Sequence, residues 1–297
     1  MKKNFSVHFS LLRTLLGTVA LSALAVSSLV SDVSAQTIPA AETDPSAQTA
    51  LPARGICAHR GDNFCFPENT VPAFRGATEK GAEMIEFDVK RCRTGELVIM
   101  HDPTVDRTTN GTGKITEMTF DEIRALDAGI KKDARFAGTK VPTFEEALDC
   151  LPKDGLWINV HCGGAAVEVA QILKAKGRLH QAFISTSLKE IANARKMVPE
   201  VLACNMSRTG GWGKPWTAEQ SALYATQTVE NHCNFLQLVT PCSPEDAKMM
   251  HAADVKINYF FCNDPQKLEA ILSFGTDFVL TDRLELMQGA MKGLQNR

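Results

Sequence analysis

Four absences narrow what this sequence encodes. It has no surplus of positive charge, with 32 Lys and Arg against 34 Asp and Glu. Such a balance leaves no electrostatic footprint for nucleic acid, so any anionic ligand must be captured locally, by a cation or a few Arg and Lys. None of its nine cysteines, at 57, 65, 92, 150, 162, 204, 233, 242 and 262, forms a C-x-x-C pair, which argues against a cysteine zinc site. No repeat or low-complexity tract follows Arg54. No run reaches the ~20 strongly apolar residues that a membrane-spanning helix requires.

Lys2, Lys3 and Arg13 precede a short run rich in small residues from Leu15 to Val30, and Val33-Ser34-Ala35 ends it. This is the layout of a secretory signal peptide over residues 1–35, cleaved near Ala35. With no Cys beyond that point to carry a lipid until Cys57, the expected product is periplasmic or secreted, without a stable membrane anchor. Cleavage leaves 262 residues with 29 basic and 33 acidic groups. Residues 36–54, rich in Ala, Pro, Thr and Ser, read as a flexible lead-in. Residues 55–297 read as one domain, close to the ~250 residues of a (β/α)₈ barrel. In an oxidising compartment some of the cysteines are expected to be bridged and others to be small buried apolar residues. An odd count leaves at least one thiol unpaired.

Short apolar runs recur from Gly55 onward: Ile56–Ala58, Met84–Val89, Leu97–Met100, Trp157–Val160, Phe183–Ser185, Val201–Ala203, Phe235–Val239, Lys256–Phe261 and Phe278–Leu280. They read as buried strands. Helix-like segments between them include Val71–Lys80, Phe144–Cys150, Ala165–Lys176, Leu188–Met197, Pro244–Ala252 and Pro265–Phe274. The alternation predicts an α/β fold with a parallel sheet. Nine strands is one too many for an eight-stranded barrel. Only Lys90–Glu96 separates the second from the third, a length that suits a hairpin and not a parallel crossover. The expectation is a (β/α)₈ TIM barrel with an extra hairpin strand, followed by an insertion over Asp102–Pro142. Within that insertion Thr119 and Glu122 are spaced as a capping box.

Glu86 and Asp88 lie two apart in an apolar strand, so both side chains share one face. Buried together they repel, and a cation, a proton or an Arg or Lys partner must neutralise them. A hard divalent metal suits oxygen ligands of this kind. His59 and His101 each close an apolar strand, where barrel enzymes place reactive groups. Imidazoles that exchange protons near neutrality suit acid and base roles around one centre.

Six ordered segments then resemble one family: Ala58-His59-Arg60-Gly61, Pro67-Glu68-Asn69-Thr70, Glu86-Phe87-Asp88-Val89, Met100-His101-Asp102, Arg107-Thr108-Thr109-Asn110-Gly111 and Val141-Pro142-Thr143-Phe144-Glu145-Glu146. Their order and spacing are similar to those of glycerophosphodiester phosphodiesterases. The likeness is strong over Ile56–Leu148, thin from about 165 to 255, and returns at Asn263-Asp264 and Val279-Leu280-Thr281-Asp282. It implies a barrel that cleaves small phosphodiesters with one divalent metal, Ca or Mg. By that likeness Glu86 and Asp88 bind the metal, His59 and His101 serve as acid and base, and Arg60 holds the phosphate. Glu68 supports the site or caps the following helix.

The resemblance breaks at one strand, where family members usually read Asn-Ile-Glu-Ile-Lys. Here it is Trp157-Ile158-Asn159-Val160-His161-Cys162-Gly163, with His161 in place of the ligand Glu and Gly163 in place of the Lys. Strand parity aims Asn159, His161 and Gly163 to one face. Two carboxylates and an imidazole favour Mn, Fe, Co or Zn over Ca. Arg208 and Lys214, in the Trp-bearing stretch Ser207–Trp216, are candidates to supply the missing charge. A cyclising phosphodiester lyase of the sphingomyelinase D type and a non-catalytic envelope binding protein of the same fold are the alternatives at this point.

Overall fold

The computed structural model describes residues 50–207 and 217–296. The predicted signal peptide, most of the lead-in, Arg208 and Lys214 lie outside the described residues.

Among the described residues the strands are β1 (Gly55–His59), β2 (Met84–Arg91), β3 (Leu97–Ile99), β4 (Trp157–His161), β5 (Ala182–Thr186), β6 (Leu202–Asn205), β7 (Phe235–Leu238), β8 (Lys256–Tyr259) and β9 (Phe278–Thr281). Eight of them, all but β3, pair in parallel in chain order, and β1 also pairs with both β2 and β9, which closes the sheet. The result is a (β/α)₈ TIM barrel. As the short link requires, β3 folds back antiparallel to the end of β2, Val89 opposite Ile99 and Arg91 opposite Leu97.

The helices are α1 (Val71–Glu79), α2 (Phe120–Ala125), α3 (Phe144–Asp149), α4 (Ala166–Ala175), α5 (Leu188–Met197), α6 (Ala218–Glu230), α7 (Pro244–Ala252), α8 (Leu268–Ser273) and α9 (Leu284–Gln295). Capping boxes start α2 at Thr119 with Glu122 and α3 at Thr143 with Glu146. Two helices have weak signatures in the sequence. The buried face of α6 includes Ser221 and Thr228, which blurs its apolar period, and α9 carries Gly289 and Gly293, poor helix formers. The C-terminal helix before β9 is shorter than its apolar pattern, because Pro265–Lys267 forms a separate 3₁₀ turn.

Strand parity sorts the core. Outward residues such as Ile85, Phe87, Val160 and Ile184 pack under the helices. Inward residues Met84, Trp157, Phe183, Phe235 and Phe278 plug the barrel's N-terminal end, with the Phe183 and Phe235 rings stacked 3.8 Å apart. Each such fully buried large side chain contributes on the order of 1.5–3 kcal/mol. Leu51 packs on this plug, and the Trp157 indole donates to Pro52 O at 2.8 Å. One step toward the C-terminal end the inward positions turn polar: Glu86, Asn159, Gln237 and Asn258 are completely buried. The plug below them leaves one face of that polar layer open to the barrel mouth.

The insertion has its own small core of Val98, Met100, Val105, Ile115, Ile123 and Val141. All nine cysteines are free thiols and seven are buried. The expected bridges are therefore replaced by the other expected use of cysteine, as a small apolar core residue.

Candidate active site

The register gathers the site. In the parallel sheet His59 lies opposite Glu86, Glu86 opposite Asn159 and Asp88 opposite His161. All are inward positions at the C-terminal end, the end where this fold carries chemistry.

Glu86, Asp88 and His161 offer donor atoms that lie within 4.8 Å of one another. His161 Nδ1 is 3.0 Å from Glu86 Oε1 and 3.6 Å from Asp88 Oδ1. Glu86 Oε1 is nevertheless buried without a hydrogen-bond donor, because the imidazole N–H is out of line with it. Three ligand atoms converging on one point, one of them an orphaned anionic oxygen, fit a divalent cation. The electrostatics agree. Burial, then the charge of Asp88, pushes the Glu86 carboxyl up. Burial also opposes ionisation of Asp88, but the His161 hydrogen bond and the charges of His161, Arg60 and His101 hold its carboxyl well below the usual range. Burial would lower His161, yet Glu86 and Asp88 raise it. Asp88 is biased toward its charged form while Glu86 resists charging, a conflict that a shared cation removes.

Around this centre two imidazoles are each held through Nδ1 by a carboxylate. His59 Nδ1 donates to Asp282 Oδ1 at 2.7 Å, and His59 Nε2 faces Glu86 Oε2 at 4.0 Å. His101 Nδ1 donates to Asp102 Oδ1 at 2.7 Å. His59 is buried among the rings of Phe260 and Phe261, whereas the His101 side chain is 45% exposed. Asp282 also accepts from Asn63 at 2.6 Å and Asn263 at 3.0 Å. Burial works against the charge of Asp282, but these bonds depress its carboxyl well below the usual range.

Arg60 is placed by strain. Its φ is +55°, in the left-handed region that costs a non-glycine residue about 1–2 kcal/mol. The backbone N–H it turns inward donates to Glu86 Oε2 at 3.0 Å, and its side chain reaches Glu68 at 2.9 Å and Asp88 at 3.5 Å. Gly61 follows at φ +78°, where a Cβ would come within 2.7 Å of the Ala73 backbone in α1. Glu68 also takes two hydrogen bonds from Arg107, at 2.6 and 2.8 Å, and Arg107 continues to Asp102 at 2.6 Å. Glu68 therefore joins Arg60 to the insertion, and it does not cap α1, whose N-cap is Thr70.

Asn159 accepts from Ser185 Oγ at 2.5 Å and leaves its buried Nδ2 unpaired, on the strand beside Glu86 and level with it. β4 ends at His161, and Gly163 and Gly164 turn the chain into α4, Gly164 at φ +81°. A Cβ at Gly163 would meet open space.

Several residues at the site had no assigned role in the sequence, Asp102 and Asn63 among them. Asp282 and Arg107 stood inside quoted motifs, and Asn69 grips Asp88 with its amide, Nδ2 to Oδ2 at 2.9 Å. Gln237 Oε1 accepts from His161 Nε2 at 3.2 Å. A lone polar residue in an apolar strand was the signal for Gln237. A cleft of about 420 Å³ opens beside His59, Arg60, Glu68, Arg107 and Asp282, within the size range of small-ligand sites.

The sequence model of the glycerophosphoryl diester phosphodiesterase family matches residues 59–203. A glycerophosphodiester phosphodiesterase from Caldanaerobacter subterraneus subsp. tengcongensis is 31% identical over 244 residues, 78% of this chain and 95% of that protein. Among solved structures, a glycerophosphodiester phosphodiesterase from Agrobacterium tumefaciens superposes with a TM-score of 0.65 at 26% identity, over 80% of this chain and 99% of that one. A second, from Silicibacter pomeroyi, gives 0.68 at 17% identity, over 83% of this chain and 96% of that one, and speaks to the fold alone. Barrel, site and relatives together define a phosphoric diester hydrolase. The chain belongs to the glycerophosphoryl diester phosphodiesterase family.

Proposed function

We propose that this protein hydrolyses glycerophosphodiesters with one divalent cation held by Glu86, Asp88 and His161, and with His59 and His101 as acid and base. The observation that carries the reading is the pair of imidazoles, each fixed through Nδ1 by a carboxylate beside that three-donor cluster. When bound, the cation supplies Lewis-acid charge against a non-bridging phosphate oxygen. Arg60, steadied by Glu68, holds the phosphate from the side. One imidazole takes a proton from the attacking water through Nε2, and the other returns one to the departing alkoxide as its P–O bond breaks. Asp282 and Asp102 keep each ring in the tautomer that leaves Nε2 exchangeable. The products are an alcohol and a phosphate monoester.

With His161 as third ligand, the site prefers Mn, Fe, Co or Zn over Ca. Gln237, accepting from Nε2, leaves Nδ1 as the metal-binding atom. We further propose that residues 1–35 are a cleaved export signal and that the enzyme is periplasmic or secreted; the mass and N-terminus of the protein recovered from cell fractions test this, and an intact N-terminus in the cytoplasmic fraction would refute it.

The decisive experiment is elemental analysis of the purified protein followed by ³¹P NMR of a diester panel, with His59→Ala and His101→Ala alongside. Monoester product that disappears in both variants is expected. A cyclic phosphate product would instead identify a lyase. No turnover of any diester by metal-loaded wild type would leave a binding protein.

A further inference from the structure

Beyond His59 the cleft extends over the insertion, and two ammonium groups stand there without an acid. Lys131 Nζ donates to Asp106 O, and Lys132 Nζ donates to Asn63 O at 2.8 Å. Both residues line the cleft and are exposed, and among the described residues neither has a carboxylate within ion-pair reach. The other two cations of the cleft are already matched, Arg60 by Glu68 and Asp88, Arg107 by Glu68 and Asp102. Lys132 is also close to the chemistry. The Asn63 it holds donates to Asp282 Oδ1, the oxygen that orients His59.

The aromatic wall points the same way. Phe64 is 54% exposed and would be a natural seat for a quaternary ammonium. The guanidinium of Arg283 already lies 4.1 Å from the centre of its ring. A second cation arriving at that ring meets the positive charge of Arg283.

We infer that the cleft selects glycerophosphodiesters whose alcohol arm carries a negative charge, a phosphate monoester or a carboxylate, over those carrying choline or ethanolamine. The inference rests on the phosphodiesterase reading and adds to it the class of leaving group. With the scissile phosphate at Arg60, the arm lies along Asn63 and its charge falls between Lys131 and Lys132. These ammoniums are solvated, so the preference weakens as salt shortens the screening length below ~8 Å.

The test is the ratio of kcat/KM for a glycerophosphodiester ending in phosphate, and for one ending in a glycerate carboxylate, to that for glycerophosphocholine, all measured on the full chain. Wild type is expected to favour the charged arms about tenfold, the scale of two partly screened charge pairs. Lys131→Ala/Lys132→Ala brings the ratio near one, and Lys131→Glu/Lys132→Glu inverts it. A preference for only one of the two anions identifies which arm the site takes. Equal ratios in wild type and double variant overturn the charge selection and leave the phosphodiesterase reading intact. If no diester is cleaved, that reading falls instead. Calorimetry with uncleavable phosphonate analogues then decides the charge selection, and equal affinities for the choline and anionic analogues overturn it.

Discussion

Replacing His161 with Ala tests the least conventional part of the site. His161 Nδ1 faces Glu86 at 3.0 Å and Asp88 at 3.6 Å. At an effective dielectric of ~20 each contact is worth roughly 5 kcal/mol of raw attraction, most of it offset by the desolvation of three buried groups. Removing one partner of such a buried set costs about 3–5 kcal/mol. In a domain of this size that lowers the melting temperature by roughly 6–20 °C. The pH dependence follows from the directions of the shifts. His161 is raised, so its contribution is complete below its ordinary value of ~6.5 and is lost as pH rises through the raised value. Asp88 is depressed, so its share is present above ~3.9 and is lost as pH falls through the depressed value. Glu86 is raised, so above ~4.3 the unfolded chain ionises first and the metal-free fold is penalised. Chelator-treated wild type should therefore lose stability on going from pH 6 to pH 9, and the variant should lack that limb. Adding Mn²⁺ at 100 times its dissociation constant should return about 2.7 kcal/mol to wild type, more readily at high pH because the ligand must be neutral. The assay is thermal melting monitored by circular dichroism from pH 5 to pH 9, with chelator or Mn²⁺. A variant that melts within ~2 °C of wild type in chelator and gains the same shift from Mn²⁺ would refute both the electrostatic account and His161 as a ligand.

Three further outcomes are expected. Asp282→Asn keeps the contact with His59 but removes the charge, so kcat should fall about 10²–10⁴-fold with KM little changed, as steady-state kinetics will read. Glu68 is depressed: burial would raise it, but Arg107 and Arg60 win. Its stabilisation is thus present above ~4.3 and lost as pH falls through the depressed value, and Glu68→Gln should flatten the acid limb of a pH-melting curve. Gly61→Ala forces a side chain to φ +78° and to 2.7 Å from the Ala73 backbone. It should cost ~1–3 kcal/mol or more in urea unfolding, and should weaken phosphate binding because Arg60 is next in the chain.

The barrel was legible because its information is local. Apolar runs of three to six residues mark strands, Thr and Glu three apart mark α2 and α3, and a seven-residue link dictates that β3 folds back on β2. Much of the candidate site was legible for a different reason: Glu86 and Asp88 break an apolar strand at period two, and the histidines close strands. What the sequence could not give was the partner of each group, since partners are fixed by ring closure. Asp282 meets His59 across 223 positions only because β9 pairs with β1. His161 meets Gln237 only because both face the barrel interior, three strands apart around the ring. At Gly163 the sequence pattern loses its force, because a period-two argument holds only while the strand continues and β4 ends at His161.

The same closure explains why a histidine is tolerated where a carboxylate ligand would be expected. A third carboxylate beside Glu86 and Asp88 would add a negative charge that Arg60, already shared between Asp88 and Glu68, does not balance, and its other neighbours Asn159, Ser185 and Gln237 are uncharged. An imidazole can carry a proton when no cation is bound and release it when one is. The metal-free barrel then keeps a positive charge at its centre, and the fold does not have to await its metal. The cost lies in selectivity, because a nitrogen ligand trades affinity for hard cations against affinity for transition metals. A Glu at this position should shift selectivity toward Mg²⁺ and Ca²⁺ while lowering chelator-treated stability at neutral pH, where three buried carboxylates face one another. Greater metal-free stability for His161→Glu than for wild type would contradict that balance.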